Sequence, residues 1–138
     1  MKTSEAGLEF IKDQEGCVLH VYRDQVGKRT IGIGHLITDD DPDYSDGITM
    51  DQALEILAGD VARFERAVNS YNLDLTQNQF DVLVDFSFNC GEGALAQLLS
   101  HGLDQVPDQL PKWCHGGGQV IDALVRRRAA EIHLWGKA

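Results

Sequence analysis

The sequence has few cysteines and no cysteine pair at metal-binding spacing. Only three of its 138 residues are cysteines, at Cys17, Cys90 and Cys114, and none forms a C-x-x-C motif. Structural zinc sites draw four Cys or His ligands from such closely spaced pairs. We therefore expect no metal and no cofactor. The odd count favours buried, free thiols in a reducing compartment over a disulfide framework.

The chain is also short of positive charge and of long apolar runs. It has 12 Lys and Arg residues but 22 Asp and Glu residues, which gives a formal net charge of -10. This balance argues against sequence-independent binding to nucleic acid and against docking on an anionic membrane. The apolar runs are too short to cross a bilayer. We expect no nucleic-acid partner and no membrane insertion.

Part of the acid is concentrated in one run, DDDPD, at Asp39–Asp43. A calcium-binding loop would need regularly spaced ligands and a turn glycine, and the run has neither. It is therefore interpreted as a solvated loop.

The predicted elements are one helix, a small sheet and then several helices. An apolar stripe predicts a helix over Ser4–Gln14, with Ser4 as its N-cap and Gly16 as its C-cap. Alternating patterns predict strands at 18–23, 29–33 and 36–38. Helices are predicted at 50–69, 77–89, 94–100, 107–115 and 121–134. Thr49 and Thr76 are the predicted N-caps of the first two, and the apolar positions all around 77–89 predict a central, mostly buried helix. Strands confined to the N-terminal third define an α+β protein.

Three residues at the ends of these elements have the chemistry of a hydrolytic site. Glycoside hydrolysis uses one protonated carboxyl group and one ionised one. Glu15 ends an apolar helix, where partial desolvation would raise its pKa, whereas Asp24 opens a polar turn that keeps a carboxylate ionised. Thr30 begins the returning strand and could hold a water against Asp24. The spacing alone is weak evidence for catalysis and favours a solvated hairpin, because acids flank hairpins in many proteins.

The residues around this trio resemble the phage-type lysozyme family, small muramidases with which tailed phages lyse bacteria. Glu15, Asp24 and Thr30 have the family's spacing, and Thr30 opens a TIGIGH segment. Three later blocks are similar to the family in the same order: ITMDQALEIL, LTQNQFDVLVDFSFNCGEGAL and ALVRRRAAE. The resemblance covers nearly the whole chain.

The resemblance implies a fold. It predicts one lysozyme-like domain over residues 1–138, of the α+β class, with its N-terminal helix at 4–14. A small N-terminal β-sheet lobe at about 17–47 would be joined by a long helix at about 50–69 to a larger helical lobe at about 72–138. The active-site cleft would lie between the two lobes.

The resemblance also implies a function. It predicts hydrolysis of the β-1,4 bond between N-acetylmuramic acid and N-acetylglucosamine in peptidoglycan. Glu15 would protonate the leaving oxygen, while Asp24 and Thr30 would activate a water on the opposite face. Such inversion requires carboxyl groups roughly 6.5–9.5 Å apart. The catalytic residues are thus predicted as Glu15, Asp24 and Thr30.

The expected partner is the bacterial glycan strand, bound by a monomer. The start of the chain has no apolar segment typical of a secretory signal. We therefore expect synthesis in the host cytoplasm and action on the cell wall or periplasm after release. Three alternatives stay open: a non-catalytic wall- or partner-binding module, a muramidase domain of a larger toxin or effector, and a lytic transglycosylase, which needs no activated water.

Other residues receive roles from the same resemblance. His35 could titrate near neutral pH and act in catalysis, but the family pattern favours a structural pair with Asp60. Arg126–Arg128 are interpreted either as a solvated helix face or as the source of one arginine near Glu15. The remaining candidates are predicted to bind substrate: Gly34, Leu36, Phe88 and Asn89.

Overall fold

The N-terminal helix ends within one residue of the predicted end. The protein is described by a computed structural model that covers residues 1–137. Helix α1 spans Glu5–Glu15, and the Gly16 N–H closes it by donating to the Lys12 carbonyl at 2.7 Å. Ser4, the predicted N-cap, donates its hydroxyl to the Asp81 carboxylate at 2.5 Å.

Residues 5–63 form one compact unit built on a small sheet. The sheet is an antiparallel meander of β1 (Val18–Arg23), β2 (Arg29–Gly32) and β3 (His35–Leu36), so the three predicted strands are present with small shifts at β2 and β3. Helix α2 (Met50–Asp60) packs on β2, and α1 packs on α2. The buried core of this unit is apolar: Ile11, Ile31, Ile33, Ala53, Leu57 and Val61.

The single helix predicted over residues 50–69 is two helices in the structure. α2 ends at Asp60, and α3 spans Ala62–Asn69. Val61 separates them and donates its N–H to the Leu57 carbonyl at 2.9 Å. Gly59 stands in the last turn of α2, where its low helix propensity makes an interruption less costly.

Two threonines cap helices as the sequence predicts. Thr49 accepts from the Gln52 N–H at 3.1 Å, and the Gln52 side chain accepts from the Thr49 N–H at 2.8 Å. Thr76 and Gln79 make the same reciprocal pair at 3.1 and 3.0 Å. Each capping box satisfies two backbone donors that a helix otherwise leaves unpaired.

Residues 1–4 and 64–137 belong to a second compact unit, centred on α4 (Gln77–Cys90). Side chains 80–87 of this helix are all buried, as predicted for a central helix. Helices α5 (Glu92–Leu99) and α7 (Asp122–Trp135) pack against it. Within residues 1–137, no helix is both long and apolar enough to cross a bilayer.

The segment predicted as a helix over 107–115 is built differently. It contains only a four-residue helix, α6 (Val106–Gln109), between two 3-10 turns at Leu103–Gln105 and Leu110–Lys112. A hairpin of β4 (His115–Gly116) and β5 (Gln119–Val120) follows, so the expectation that strands are confined to the N-terminal third is wrong. Two prolines in the short helical turns lack the N–H that a longer helix would need.

The cysteines are free but not buried. All three thiols are free and half-buried. The expectation of free thiols is confirmed, and the expectation that they lie in the core is wrong.

Candidate active site

Asp24 is fixed by the turn that joins β1 to β2. Its backbone N–H donates to the Lys28 carbonyl at 2.9 Å. Its Oδ1 atom accepts from the N–H groups of Val26 at 3.0 Å and Lys28 at 2.8 Å. One carboxylate oxygen is therefore used to hold the turn, and the half-buried side chain has a defined direction.

Thr30 lies in the returning strand of the hairpin. It pairs with Tyr22 on β1, while Arg29 pairs with Arg23. Asp24 and Thr30 both hydrogen-bond to the backbone of Lys28, because Asp24 Oδ1 accepts from its N–H and the Thr30 hydroxyl donates to its carbonyl. Thr30 is only 2% exposed, and its hydroxyl donates to the Lys28 carbonyl at 3.0 Å. Because its one hydrogen is donated to Lys28, this hydroxyl can only accept in any further hydrogen bond.

Glu15 is the last residue of α1, directly before the turn into β1. Its side chain is exposed. The expected partial desolvation of this carboxyl group is therefore wrong. The apolar positions that suggested burial belong to the inner face of α1, where Ile11 is fully buried.

His35 lies between two carboxylates. Its Nδ1 is 2.8 Å from Asp60 Oδ2, and its Nε2 is 3.1 Å from each carboxylate oxygen of Asp41. The structure thus brings His35 and Asp60 together as the sequence analysis predicts. Partial burial acts to lower the pKa of His35, but the hydrogen bonds and charges of Asp60 and Asp41 outweigh it and raise the pKa above 6.5.

Asp41 is a member of this cluster that the sequence analysis missed, because the whole run 39–43 was interpreted as solvated. Its side chain is 16% exposed. The Thr38 N–H donates to it at 2.8 Å, and this bond, with the contact to His35, lowers the pKa of Asp41. No local signal separates Asp41 from the other acids of the run, because its place is fixed by the turn that its N–H closes with the Thr38 carbonyl.

Gly34 and Leu36 flank His35 in the second turn of the sheet. Three residues, 32–34, connect the paired residues Ile31 and His35, and Gly34 has φ +70°, the left-handed conformation typical of the last position of a three-residue hairpin loop. Leu36 pairs with Thr30 across the strands and is 46% exposed. An exposed leucine next to Thr30 is compatible with the predicted role in substrate binding.

Phe88 and Asn89 lie in the other unit, at the C-terminal end of α4. Phe88 packs edge-to-face against Phe64, with ring centroids 5.7 Å apart. Asn89 accepts from the Arg128 guanidinium at 2.8 Å through its Oδ1 atom. Both side chains are half-buried and therefore reach the surface of their unit.

The Phage lysozyme family model matches residues 12–131 of this chain. The chain belongs to the phage lysozyme family. The endolysin of Bacillus phage PZA is 39% identical over 144 residues and 98% of this chain. A P22 lysozyme mutant, 31% identical, has a TM-score of 0.85, and the muramidase domain of SpmX from Asticaccaulis excentricus, 32% identical, has 0.83. Both structures cover 99% of this chain and are covered to 99%.

The predicted family and the predicted lysozyme-like α+β fold are thereby confirmed. The chain spans only 55% of the Bacillus phage PZA endolysin and 54% of the Bacillus phage B103 endolysin. It matches 98% of the Salmonella phage P22 endolysin at 33% identity. The chain therefore matches about half the length of some relatives and nearly the whole length of others.

The arginine run of this family member is not a solvated helix face. Arg126 is exposed, but Arg127 and Arg128 are 5% and 1% exposed. Arg127 makes a double contact with the fully buried Asp85, at 2.7 and 3.1 Å. Arg128 lies 2.6 Å from the fully buried Glu131. The interpretation of a solvated face is wrong for two of the three arginines.

Asp85, Glu131 and the two buried arginines form an ionic cluster. The sequence indicated its members singly but did not show that they lie together. Asp85 stands in the apolar run VLVDFSF, where an unpaired charge would be costly. Glu131 stands three residues after Arg128, on the same helix face. Burial, followed by the nearby Asp85 carboxyl group, raises the pKa of Glu131, although both arginines oppose this shift.

Proposed function

We propose that this chain is a muramidase that hydrolyses the β-1,4 bond between N-acetylmuramic acid and N-acetylglucosamine in bacterial peptidoglycan. The observation that supports it most is the hairpin directly after the helix that ends at Glu15, where the Asp24 and Thr30 side chains both hydrogen-bond to the backbone of Lys28. Membership of the phage lysozyme family supports the same substrate class. The chain would act as a monomeric, single lysozyme-like domain on glycan strands in the cell wall.

Asp24 and Thr30 would activate the attacking water. Asp24 uses Oδ1 for the turn, so Oδ2 is the oxygen that would take a proton from water. Thr30 would accept the other proton of that water in a hydrogen bond, because its own proton goes to Lys28. A water held by two acceptors has a lone pair directed away from both, towards the sugar carbon.

Glu15 would donate the proton to the leaving oxygen. An exposed carboxyl group is accessible to a bulky polymer, and the end of a helix is a rigid support for it. Water attack from the opposite face would invert the anomeric centre. Gly34 and Leu36 would contact the sugar beside the hairpin. Phe88 and Asn89 are the proposed substrate-binding residues of the helical unit.

The decisive experiment is digestion of purified peptidoglycan by the wild type beside Glu15→Gln. The amide cannot donate an acidic proton, so activity should fall by about 10²–10⁴-fold while the melting temperature stays unchanged. Glu5→Gln is the matched control, because Glu5 is an exposed glutamate on the same helix. Retention of more than a tenth of wild-type activity by Glu15→Gln would contradict the assignment.

Product analysis separates hydrolysis from the other chemistries. Hydrolysis leaves reducing muramic ends with inverted configuration, whereas a lytic transglycosylase leaves anhydro-muramic ends. No product from the wild type would favour a non-catalytic binding module.

A further inference from the structure

Helices α1 and α2 pack against each other and leave a groove on the surface of the unit formed by residues 5–63. This α1–α2 groove has a volume of about 720 Å³. Half of its lining is apolar and half is acidic. The apolar residues are Ala6, Leu8, Leu54 and Ala58, and the acidic residues are Glu5, Glu9, Asp51 and Glu55.

The apolar lining is accessible from outside. Leu8 and Leu54 are half-buried, whereas Ala6 and Ala58 are exposed. A small-molecule pocket encloses most of its ligand, but here the lining itself is largely open to solvent. The small alanine side chains let a second backbone approach closely, and the leucines supply apolar surface for it to bury. The groove therefore suits an elongated ligand that lies along the two helices.

The acidic lining repeats with the period of a helix. Glu5 and Glu9 are four residues apart on α1, and Asp51 and Glu55 are four residues apart on α2. Residues at this spacing lie on one face of a helix, about 6 Å apart along its axis. Like charges at this spacing destabilise a helix. Each row of carboxylates therefore costs stability unless a positive charge lies opposite it.

The protein itself supplies little positive charge to these rows. Lys12 is the one basic residue in the two helices, and it pairs with Glu9 at 2.6 Å. The helix dipoles stabilise Glu5 and Asp51, which lie in first turns, but not Glu55 in the middle of α2. In the described part of the chain, no ion pair is shown for the carboxylates of Glu5, Asp51 or Glu55. The groove thus presents negative charge that these helices do not neutralise.

We infer that the α1–α2 groove is a docking surface for a basic amphipathic helix of another protein. Apolar side chains of that helix pack on Leu8 and Leu54, which is how amphipathic helices bind grooves. Its Lys or Arg residues, placed four apart, have the same repeat of about 6 Å as the carboxylates that they face.

The docking surface is separate from the candidate active site. Glu5 and Glu15 are the two ends of α1, about 15 Å apart along the helix axis. No residue that lines the groove has a proposed catalytic or substrate-binding role. The inference therefore does not depend on the proposed muramidase function.

Two variants of equal net charge test the acidic lining. The groove variant neutralises its four carboxylates: Glu5→Gln, Glu9→Gln, Asp51→Asn and Glu55→Gln. The control variant neutralises four exposed acids elsewhere: Asp40→Asn, Asp74→Asn, Asp104→Asn and Asp108→Asn. Each changes the net charge of the full chain from -10 to -6.

The probe is a synthetic peptide helix of about four turns, with leucines at i, i+3, i+4 and i+7 and lysines beside them. Calorimetric titration should show binding to the wild type. The groove variant should bind the peptide at least about tenfold more weakly, because the charges that face the lysines are lost. The control variant should stay within about threefold of the wild type, because distant exposed charges are screened by salt.

The apolar lining is tested without a change in charge. Ala58→Gln places a longer side chain in the groove at an exposed helical position, and it should weaken peptide binding at least about fivefold. Ala96→Gln, at an exposed alanine of α5, should bind like the wild type. A scrambled peptide of the same composition has no apolar face and should bind at least about tenfold more weakly.

Several results would overturn the inference. Equal weakening by the groove and control variants would indicate general attraction to a negatively charged protein. Equal binding of the scrambled peptide, or no binding of the helical peptide to the wild type, would exclude a docked helix. A dimer of the chain that Ala58→Gln dissociates in sedimentation experiments would assign the groove to a second copy. The groove variant should digest peptidoglycan like the wild type, so failure of this inference and failure of the proposed function are distinguishable.

Discussion

At the scale of single residues, His35 is occupied at both ring nitrogens. Asp60 lies 2.8 Å from Nδ1, and Asp41 lies 3.1 Å from Nε2. A general acid or base needs one nitrogen within reach of the substrate. The two carboxylates therefore make His35 a structural residue that joins β3, the loop before α2 and the end of α2.

This cluster gives the unit a defined pH window. The pKa of His35 is raised, so its contribution to stability is complete below the unfolded value of about 6.5 and is lost as the pH rises through the folded value. The pKa of Asp41 is lowered, so its contribution is present above the unfolded value of about 3.9 and is lost as the pH falls through the folded value. Both contributions are present together between about pH 4 and 6.5.

Asp60→Asn should therefore destabilise the protein in a pH-dependent way. We expect the free energy of unfolding to fall by about 1 kcal/mol at pH 5.5 and by much less at pH 9, where the neutral imidazole can still donate to the amide oxygen. Urea denaturation at the two pH values measures both losses. Asp46→Asn, at an exposed acid of the same unit, should change neither. Equal losses at the two pH values would show that no charged pair exists.

At the scale of elements, local sequence signals located the strands and capped helices but not the interruptions. The alternating pattern predicted β1 to the residue, and Thr49 and Thr76 marked the starts of α2 and α4. The break at Val61 was not predicted, because the apolar stripe continues through this position. The β4–β5 hairpin was not predicted, because strands of two residues are too short to show an alternating pattern.

Gly59 and Gly47 should respond oppositely to alanine. Gly59 lies in the last turn of α2, and a Cβ there would meet no atom within 4 Å. Gly59→Ala should raise the free energy of unfolding by about 0.5–1 kcal/mol. Gly47 has φ +83°, and a Cβ would come within 2.9 Å of the Leu19 carbonyl oxygen. Gly47→Ala should therefore lower the free energy of unfolding.

Thermal denaturation of both variants checks this pair. A stabilising Gly47→Ala would contradict the close backbone approach. A destabilising Gly59→Ala would mean that the chain needs the weak turn before Val61.

The sequence could predict only those candidate site residues that have suitable chemistry and also lie close together along the chain. Glu15, Asp24 and Thr30 lie close together in sequence, so α1 and the hairpin that follows it carry all three. The partners of Arg127 and Arg128 depend on how α4 and α7 pack, which no local pattern contains. The acidity of Asp85 within an apolar run indicated that a partner was needed, but not which one.

At the scale of the whole molecule, the net charge of -10 opposes the approach to an anionic cell wall. The repulsion acts over the Debye length, which is about 30 Å at 0.01 M salt and about 10 Å at 0.1 M. Contacts within the site are shorter than either length and are screened much less. Salt should therefore change the encounter with the wall more than the chemical step.

Digestion of whole peptidoglycan should accordingly become faster from about 0.01 to 0.1 M salt, whereas cleavage of a short neutral chitin oligosaccharide should change little. A variant with four exposed acids neutralised, taking the charge from -10 to -6, should be less sensitive to salt on the whole wall: Asp40→Asn, Asp74→Asn, Asp104→Asn and Asp108→Asn. Turbidity clearance at fixed pH measures both proteins. A steady fall of wild-type activity with added salt would show that local positive charge at the site, and not the net charge, governs the encounter.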